Sequence, residues 1–300
     1  MRRDSKSLLV AFRIWLVLAG LVLAGCSSGL RFGYTYADTL VVYSIDEYVG
    51  LTPEQELLVK ERAGALLAWH RSTQLRDYAQ LIDATRRKLE GRVTAAEVLA
   101  FNQAVAARLD VLGDRAAPDL AQLALSLTPD QIARMERKLD SDNSKARREL
   151  AEFVGAESLE ERVKKYAERA EFWFGRVSPE QLEIMRASLV RRPAAASWWI
   201  DERDRRQREM VALLQRIVTE RPSEAIASSW LRAYFAQLRN PADPERRRAV
   251  EKFRLDSAEL VAQLINSASA DQKAALSRKL GNFAEDFVAL ASGRGPLSPG

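Results

Sequence analysis

The sequence predicts an all-α fold, a bundle of roughly nine to ten helices with long antiparallel members. Three observations carry this. Pro53, Pro118, Pro129, Pro179, Pro193, Pro222, Pro241 and Pro244 leave long proline-free runs between them, rich in Ala, Leu, Arg, Glu and Gln, the better helix formers. One helix-start signature recurs along the chain. Apolar residues recur at steps of three and four, and no set of alternating strands competes with them. With 300 residues, 47% of them hydrophobic and 29% charged, the chain can bury a sizeable core and is not of disordered composition.

In chain order, the first element is an export signal. Arg2, Arg3, Lys6 and Arg13 precede an uninterrupted apolar stretch from Ile14 to Gly25, ending Leu23-Ala24-Gly25-Cys26. Twelve helical residues rise about 18 Å, short of the roughly 30 Å hydrocarbon layer, so the stretch reads as a cleaved signal over 1–25 and not as a span. The small residues before Cys26 resemble a bacterial lipobox, in which the cysteine is acylated and becomes the first residue. Ser27 follows it, and a non-acidic residue there resembles export to the outer membrane. Removing residues 1–25 takes away four basic groups and Asp4, which leaves 42 Lys+Arg against 40 Asp+Glu. The remaining chain is close to neutral, so a nucleic-acid function loses its charge argument.

Residues 26–33 read as the lipidated Cys26 and a short tether, 34–291 as the helical domain, and 292–300 as a frayed tail rich in Gly and Pro. Thr39–Ile45 suits a strand or a short helix, and a short helix is favoured. Helices are then expected near 53–89, 94–112, 129–153, 158–174, 179–191, 195–219, 223–239, 244–266 and 270–291. Thr52-Pro53-Glu54-Gln55, Thr128-Pro129-Asp130-Gln131 and Ser178-Pro179-Glu180-Gln181 each place a hydroxyl at N-cap, Pro at N1, an acid at N2 and Gln at N3. The hydroxyl accepts the N3 amide, Gln reaches back to the N-cap amide, and Pro lacks a donor that would be orphaned there. Looser versions start at Thr94, Ser158 and Ser269. Leu127 with Ile132, and Val177 with Leu182, have the spacing of a hydrophobic staple. Leu159, Val163, Tyr166, Ala170 and Trp173 form one apolar stripe, and Ile132, Met135, Leu139, Ala146, Leu150 and Phe153 another, broken at Asp142.

Candidate chemistry is sparse. A single Cys and a single His exclude an internal disulfide, a Cys-based zinc site and a His-rich metal cage. His70, in Trp69-His70-Arg71, is the one side chain whose ordinary pKa suits acid–base work near neutrality. No nucleophile elbow, phosphate loop or EF-hand spacing accompanies it. The block Asp201–Glu209 sums to zero charge, and its i,i+4 pairs Asp201–Arg205, Glu202–Arg206 and Asp204–Arg208 suit a solvated, self-paired face. Glu245-Arg246-Arg247-Arg248 reads as an exposed helix start. Phe172-Trp173-Phe174 and Trp198-Trp199 cannot all share one buried stripe, because neighbours on a helix point about 100° apart. Trp69, His70, Arg71, Tyr78, Trp173, Trp198 and Trp199 are therefore the candidate binding surface.

Together with the lipobox, the segments Arg31–Tyr34, Asp46-Glu47-Tyr48-Val49-Gly50-Leu51-Thr52-Pro53-Glu54-Gln55 and Trp69-His70-Arg71 with Leu75 and Tyr78 resemble the bacterial lipoprotein family called domain of unknown function 6279. Where that family leads one to expect Leu-Pro before the tyrosine, this chain has Leu75-Arg76. The resemblance implies an exported helical lipoprotein and brings no activity or site. Leu-Thr-x-x-Gln at 51–55 and 127–131 is also similar to the motif of the Spy and CpxP periplasmic proteins, helical chaperones and stress-response regulators.

The expectation is an outer-membrane lipoprotein facing the periplasm, anchored through Cys26, that binds an envelope protein and is not an enzyme. Two alternatives stand beside it: a Spy- or CpxP-like chaperone or stress-response factor, and an envelope hydrolase centred on His70. No cofactor, metal or nucleic-acid partner is expected.

Overall fold

The computed structural model describes residues 27–156, 159–191 and 195–293. Twelve helices lie among the described residues: α1 (Ser27–Thr35), α2 (Ala37–Val49), α3 (Pro53–Thr73), α4 (Leu75–Lys88), α5 (Ala95–Ser126), α6 (Pro129–Ala156), α7 (Leu159–Phe174), α8 (Pro179–Arg191), α9 (Ala195–Glu220), α10 (Glu224–Arg239), α11 (Pro244–Asn266) and α12 (Ala270–Ala291). No strand occurs among them. The fold is all-α, with a few more helices than the nine to ten expected. The signal sequence, Cys26, the start signal at Ser158 and most of the tail lie outside the described residues.

Four departures from the expected elements have physical causes. Ser27–Gly33 is not a tether but most of α1, with Leu30 and Tyr34 buried against α12. Residues 39–45 belong to a longer helix, α2, which the left-handed Gly50 (φ 64°) ends. The run 53–89 breaks at Gln74 (φ −109°, ψ −37°), which separates α4 from α3 and lets it pack along α12. Finally, α5 continues past 112 for 14 more residues, through Pro118. An internal proline removes the donor for the carbonyl four residues back and costs about 3 kcal/mol. Here the deprived carbonyl is that of Asp114, and Arg232 on α10 donates to it (3.4 Å).

The helix starts form as their residues dictate. Thr52, Thr94 and Ser269 close full capping boxes with Gln55, Glu97 and Gln272. Thr128 and Ser178 accept the amides of Gln131 and Gln181, whose side chains return to the N-cap amides. Leu127 and Ile132 are both buried, as a staple requires.

Four of these starts divide the chain into two units of the same plan. In the first, the hairpin α2–α3 faces the consecutive helices α5 and α6, so that α2 lies beside α6 and α3 beside α5. In the second, the hairpin α7–α8 faces the consecutive helices α11 and α12, with α7 beside α12 and α8 beside α11. The connecting helices are exchanged. Helix α4, within the first unit by sequence, packs along α12 of the second, while α9 and α10 pack on α6 and α5 of the first. Val211, Leu214, Ile217 and Leu231 of α9 and α10 thus share a core with Tyr48, Val59, Leu127 and Ile132. Asn266 adds a polar tie, accepting from the Val93 amide (2.9 Å) and donating to its carbonyl (2.7 Å).

Candidate functional site

His70 lies on the buried side of α3, where Gln55, Val59, Ala63 and His70 are the buried positions. Its ring meets α1 and α4. Tyr34 Oη lies 3.0 Å from Nδ1 and Tyr78 Oη 3.0 Å from Nε2. Tyr34 spends its one hydroxyl proton on the Leu67 carbonyl (3.1 Å). It must then accept at the histidine, so Nδ1 carries the ring proton and Nε2 accepts from Tyr78. Both nitrogens are satisfied, and no carboxylate pairs with the ring among the described residues. Burial lowers the His70 pKa to about 4 and raises Tyr34 and Tyr78 to about 12. All three side chains are neutral at pH 7. The arrangement fastens α1 and α4 to α3, and it has no free base to offer a substrate.

The aromatic candidates fall into two groups. Trp69 and Tyr78 pack on His70, Arg71 covers the Tyr34 ring at 5.4 Å, and Tyr78 meets Phe287 edge-on. Trp173 joins this group through Phe283, four residues before Phe287 on α12. Trp198 and Trp199 stand elsewhere, stacked with each other and with Phe253 of α11. The polar tips of His70 and Tyr78 are hydrogen-bonded to each other, and Trp69, Tyr78, Trp173, Trp198 and Trp199 are half-buried. A cleft of about 160 Å³ opens where α3 meets the end of α1 and the start of α2, lined by Tyr34, Thr35, Asp38, Gly64, Leu67, Ala68 and Arg71 but not by His70. No group of three or more His, Cys, Asp or Glu among the described residues could hold a metal ion.

The charged block at 201–209 is only in part a solvated face: Asp201, Arg205 and Arg208 are exposed. Glu202 and Asp204 are buried. Glu202 does bond Arg206 and Asp204 does bond Arg208, but Asp201 pairs with Arg147 of α6 instead of Arg205. Arg246, expected at an exposed helix start, forks onto Glu202 (2.8 and 2.9 Å) and reaches Glu209 (2.8 Å). Burial alone would raise the Glu202 carboxyl, but the hydrogen bonds and charges of Arg246 and Arg206 outweigh it and hold the group below its ordinary range. A block of zero net charge reads as surface until its partner, 44 residues away, is known.

Sequence reasoning also missed what the N3 glutamines do beyond their own caps. Gln55 and Gln131 exchange amide hydrogen bonds (3.2 and 2.7 Å). Gln55 also donates to the Ser126 carbonyl and Gln131 to that of Gly50. The second unit repeats the exchange: Gln181 and Gln272 exchange bonds (3.2 and 2.9 Å), and Gln272 donates to the Arg176 carbonyl as Gln131 does to that of Gly50, while Gln181 reaches the Leu264 carbonyl, further back in the preceding helix than the Ser126 carbonyl that Gln55 takes. Each glutamine closes its own cap, its counterpart, and the end of a helix in the facing pair. The usable signal was the recurrence of Gln at N3 after a hydroxyl, four times in one chain.

The fold and these contacts define an all-helical protein of two glutamine-locked four-helix units with exchanged connecting helices. A family of unknown function, DUF6279, matches residues 47–228. The match covers more than half of the chain, which therefore belongs to that family; it runs from the end of α2 into α10. No curated protein and no solved structure matches the chain.

Proposed function

We propose that this protein is a lipoprotein of the bacterial outer membrane, anchored through Cys26 and facing the periplasm, whose helical body binds another envelope protein without catalysing a reaction. The observation that carries the non-enzymatic reading is the histidine enclosure: both ring nitrogens of His70 are taken by Tyr34 and Tyr78. A hydrolase centred on His70 draws no support from a ring so occupied and so far below neutral in pKa. The anchor is supported by the apolar run and small residues before Cys26. No described helix is long and apolar enough to cross a membrane.

The test is photo-crosslinking in cells from exposed positions on separate helices, Leu57, Val190 and Ile226. One discrete protein adduct, reproduced from one face and absent when Cys26→Ser abolishes anchoring, is the expected result. Adducts to bulk lipid alone, from every position, would defeat the reading.

A Spy-like chaperone is the second reading, favoured by the two glutamine locks at Leu-Thr-x-x-Gln and its variants. It requires that the protein suppress aggregation of an unfolded client at near-stoichiometric ratio. Absence of suppression with several clients would remove it and leave the first reading intact.

A further inference from the structure

We propose that the outward face of α2, formed by Tyr36, Leu40 and Tyr43, lies against the lipid surface that holds the chain, so that the body is seated on the bilayer instead of swinging from it. This rests on the anchoring of Cys26 argued above.

The geometry leaves no slack between anchor and body. Helix α1 begins at Ser27, the residue after Cys26. It is fastened to α12 by the buried Leu30 and Tyr34 and by Arg31, which donates from Nε to Asp286 (2.7 Å). Nine helical residues rise about 14 Å, and the single residue Tyr36 separates α1 from α2. The first turns of α2 are thus held within a short helix length of the acylated residue.

The face itself has the chemistry of a bilayer boundary. Tyr36, Leu40 and Tyr43 follow at i, i+4 and i+7, one stripe of a helix, and are 49%, 40% and 68% exposed. The far side of α2 packs Val41, Val42, Ile45, Tyr48 and Val49 into the core, so the helix is apolar on two opposite sides. With its N-cap Tyr36, α2 exposes three large apolar side chains, whereas α11 exposes two, Leu255 and Val261, and no other described helix exposes more than one. Tyrosine seats its ring in the acyl boundary and keeps its hydroxyl among headgroups, and leucine adds apolar area at the same depth.

The test uses the complete lipoprotein, extracted from its membrane and reconstituted in vesicles of phosphatidylethanolamine and phosphatidylglycerol. An acylated Cys26 has no free thiol, so the wild-type chain should take up no thiol-reactive dye, and Tyr43→Cys or Leu40→Cys should take up one. Both substitutions are at exposed positions, and an unchanged helical circular dichroism spectrum checks the fold. With an environment-sensitive dye at residue 43 or 40, a quencher carried on the lipid chains should reduce emission about threefold or more. The same dye at Val190→Cys, exposed on α8, should be quenched little. Equal, weak quenching at all three positions overturns the seating while leaving the anchor in place. Blue-shifted emission at 43 and 40 without lipid quenching also overturns it, because a protein or a second copy then covers the face. Dye uptake by the wild-type chain defeats the anchor itself, and the seating with it.

Discussion

Gln55 and Gln131 donate to each other's side-chain carbonyls across the starts of α3 and α6, 76 residues apart, at 3.2 and 2.7 Å. Gln55 also reaches the Ser126 carbonyl at the end of α5, and Gln131 the Gly50 carbonyl at the end of α2. Removing one partner leaves buried donors and acceptors unpaired, at about 1–3 kcal/mol. Gln55→Ala and Gln131→Ala should each destabilise the chain by that amount in urea unfolding. The double variant should cost less than the sum, by about 1 kcal/mol or more, because the two share one set of bonds. Strict additivity would mean that the exchange carries no coupling.

The enclosure of His70 makes stability depend on pH with a definite sign. Its pKa is about 4 in the fold, against an ordinary 6.5, because burial disfavours the imidazolium. Between those values the unfolded chain binds a proton that the folded chain refuses, so stability rises with pH across that window. Lowering the pH from about 7.5 to about 4 should cost the wild-type protein about 3 kcal/mol that His70→Gln does not lose. Unfolding curves of both proteins at the two pH values give the difference directly. Equal pH slopes would show that the ring is not desolvated as the geometry requires.

Glu202 and Arg246 join α9 to α11 through a buried fork. Removing Arg246 takes several charge-assisted hydrogen bonds from the buried Glu202 and leaves it to Arg206 alone, so Arg246→Met should destabilise the chain by about 2–3 kcal/mol. Arg246→Lys should recover little, since an ammonium cannot span Glu202 and Glu209 in the guanidinium geometry. The Glu202 pKa is held low, so the pair's contribution is present above the ordinary carboxylate range and is lost as pH falls through the folded value. A thermal-melt comparison of the three proteins at neutral pH and at about pH 4 reads both effects.

What could be read in the sequence was local. The caps at Thr52, Thr94, Thr128, Ser178 and Ser269 involve residues three apart, and each formed. The end of α5 was expected near 112, 14 residues too early, because the group that rescues the helix at Pro118, Arg232, sits on another helix. The break at Gln74 carries no Pro or Gly. It follows from the burial of Leu75 and the packing of α4 on α12, a helix nearly two hundred residues away. The burial of Glu202 and the glutamine locks were hidden for the same reason, since each partner lies 44 to 91 residues off. The aromatic candidates were half legible: Trp69, His70, Tyr78 and Trp173 converge through α12, whereas Trp198 and Trp199 answer to Phe253.

The exchange of connecting helices predicts how the chain comes apart. Helix α4 buries Leu75, Ala79 and Ile82 against Phe283 and Phe287 of α12, and α9 and α10 supply part of the first unit's core. Neither half keeps its apolar surface covered without the other, so the two units should not fold as independent domains. Inserting a protease site between residues 156 and 159 and cleaving the folded protein should leave both fragments eluting together as one particle with undiminished helical signal. Expressed separately, each fragment should lose much of its helicity or aggregate, and mixing during refolding should restore the pair. Two fragments that separate after cleavage and each melt cooperatively would show that the units are self-sufficient and that the exchanged helices are ornament to them.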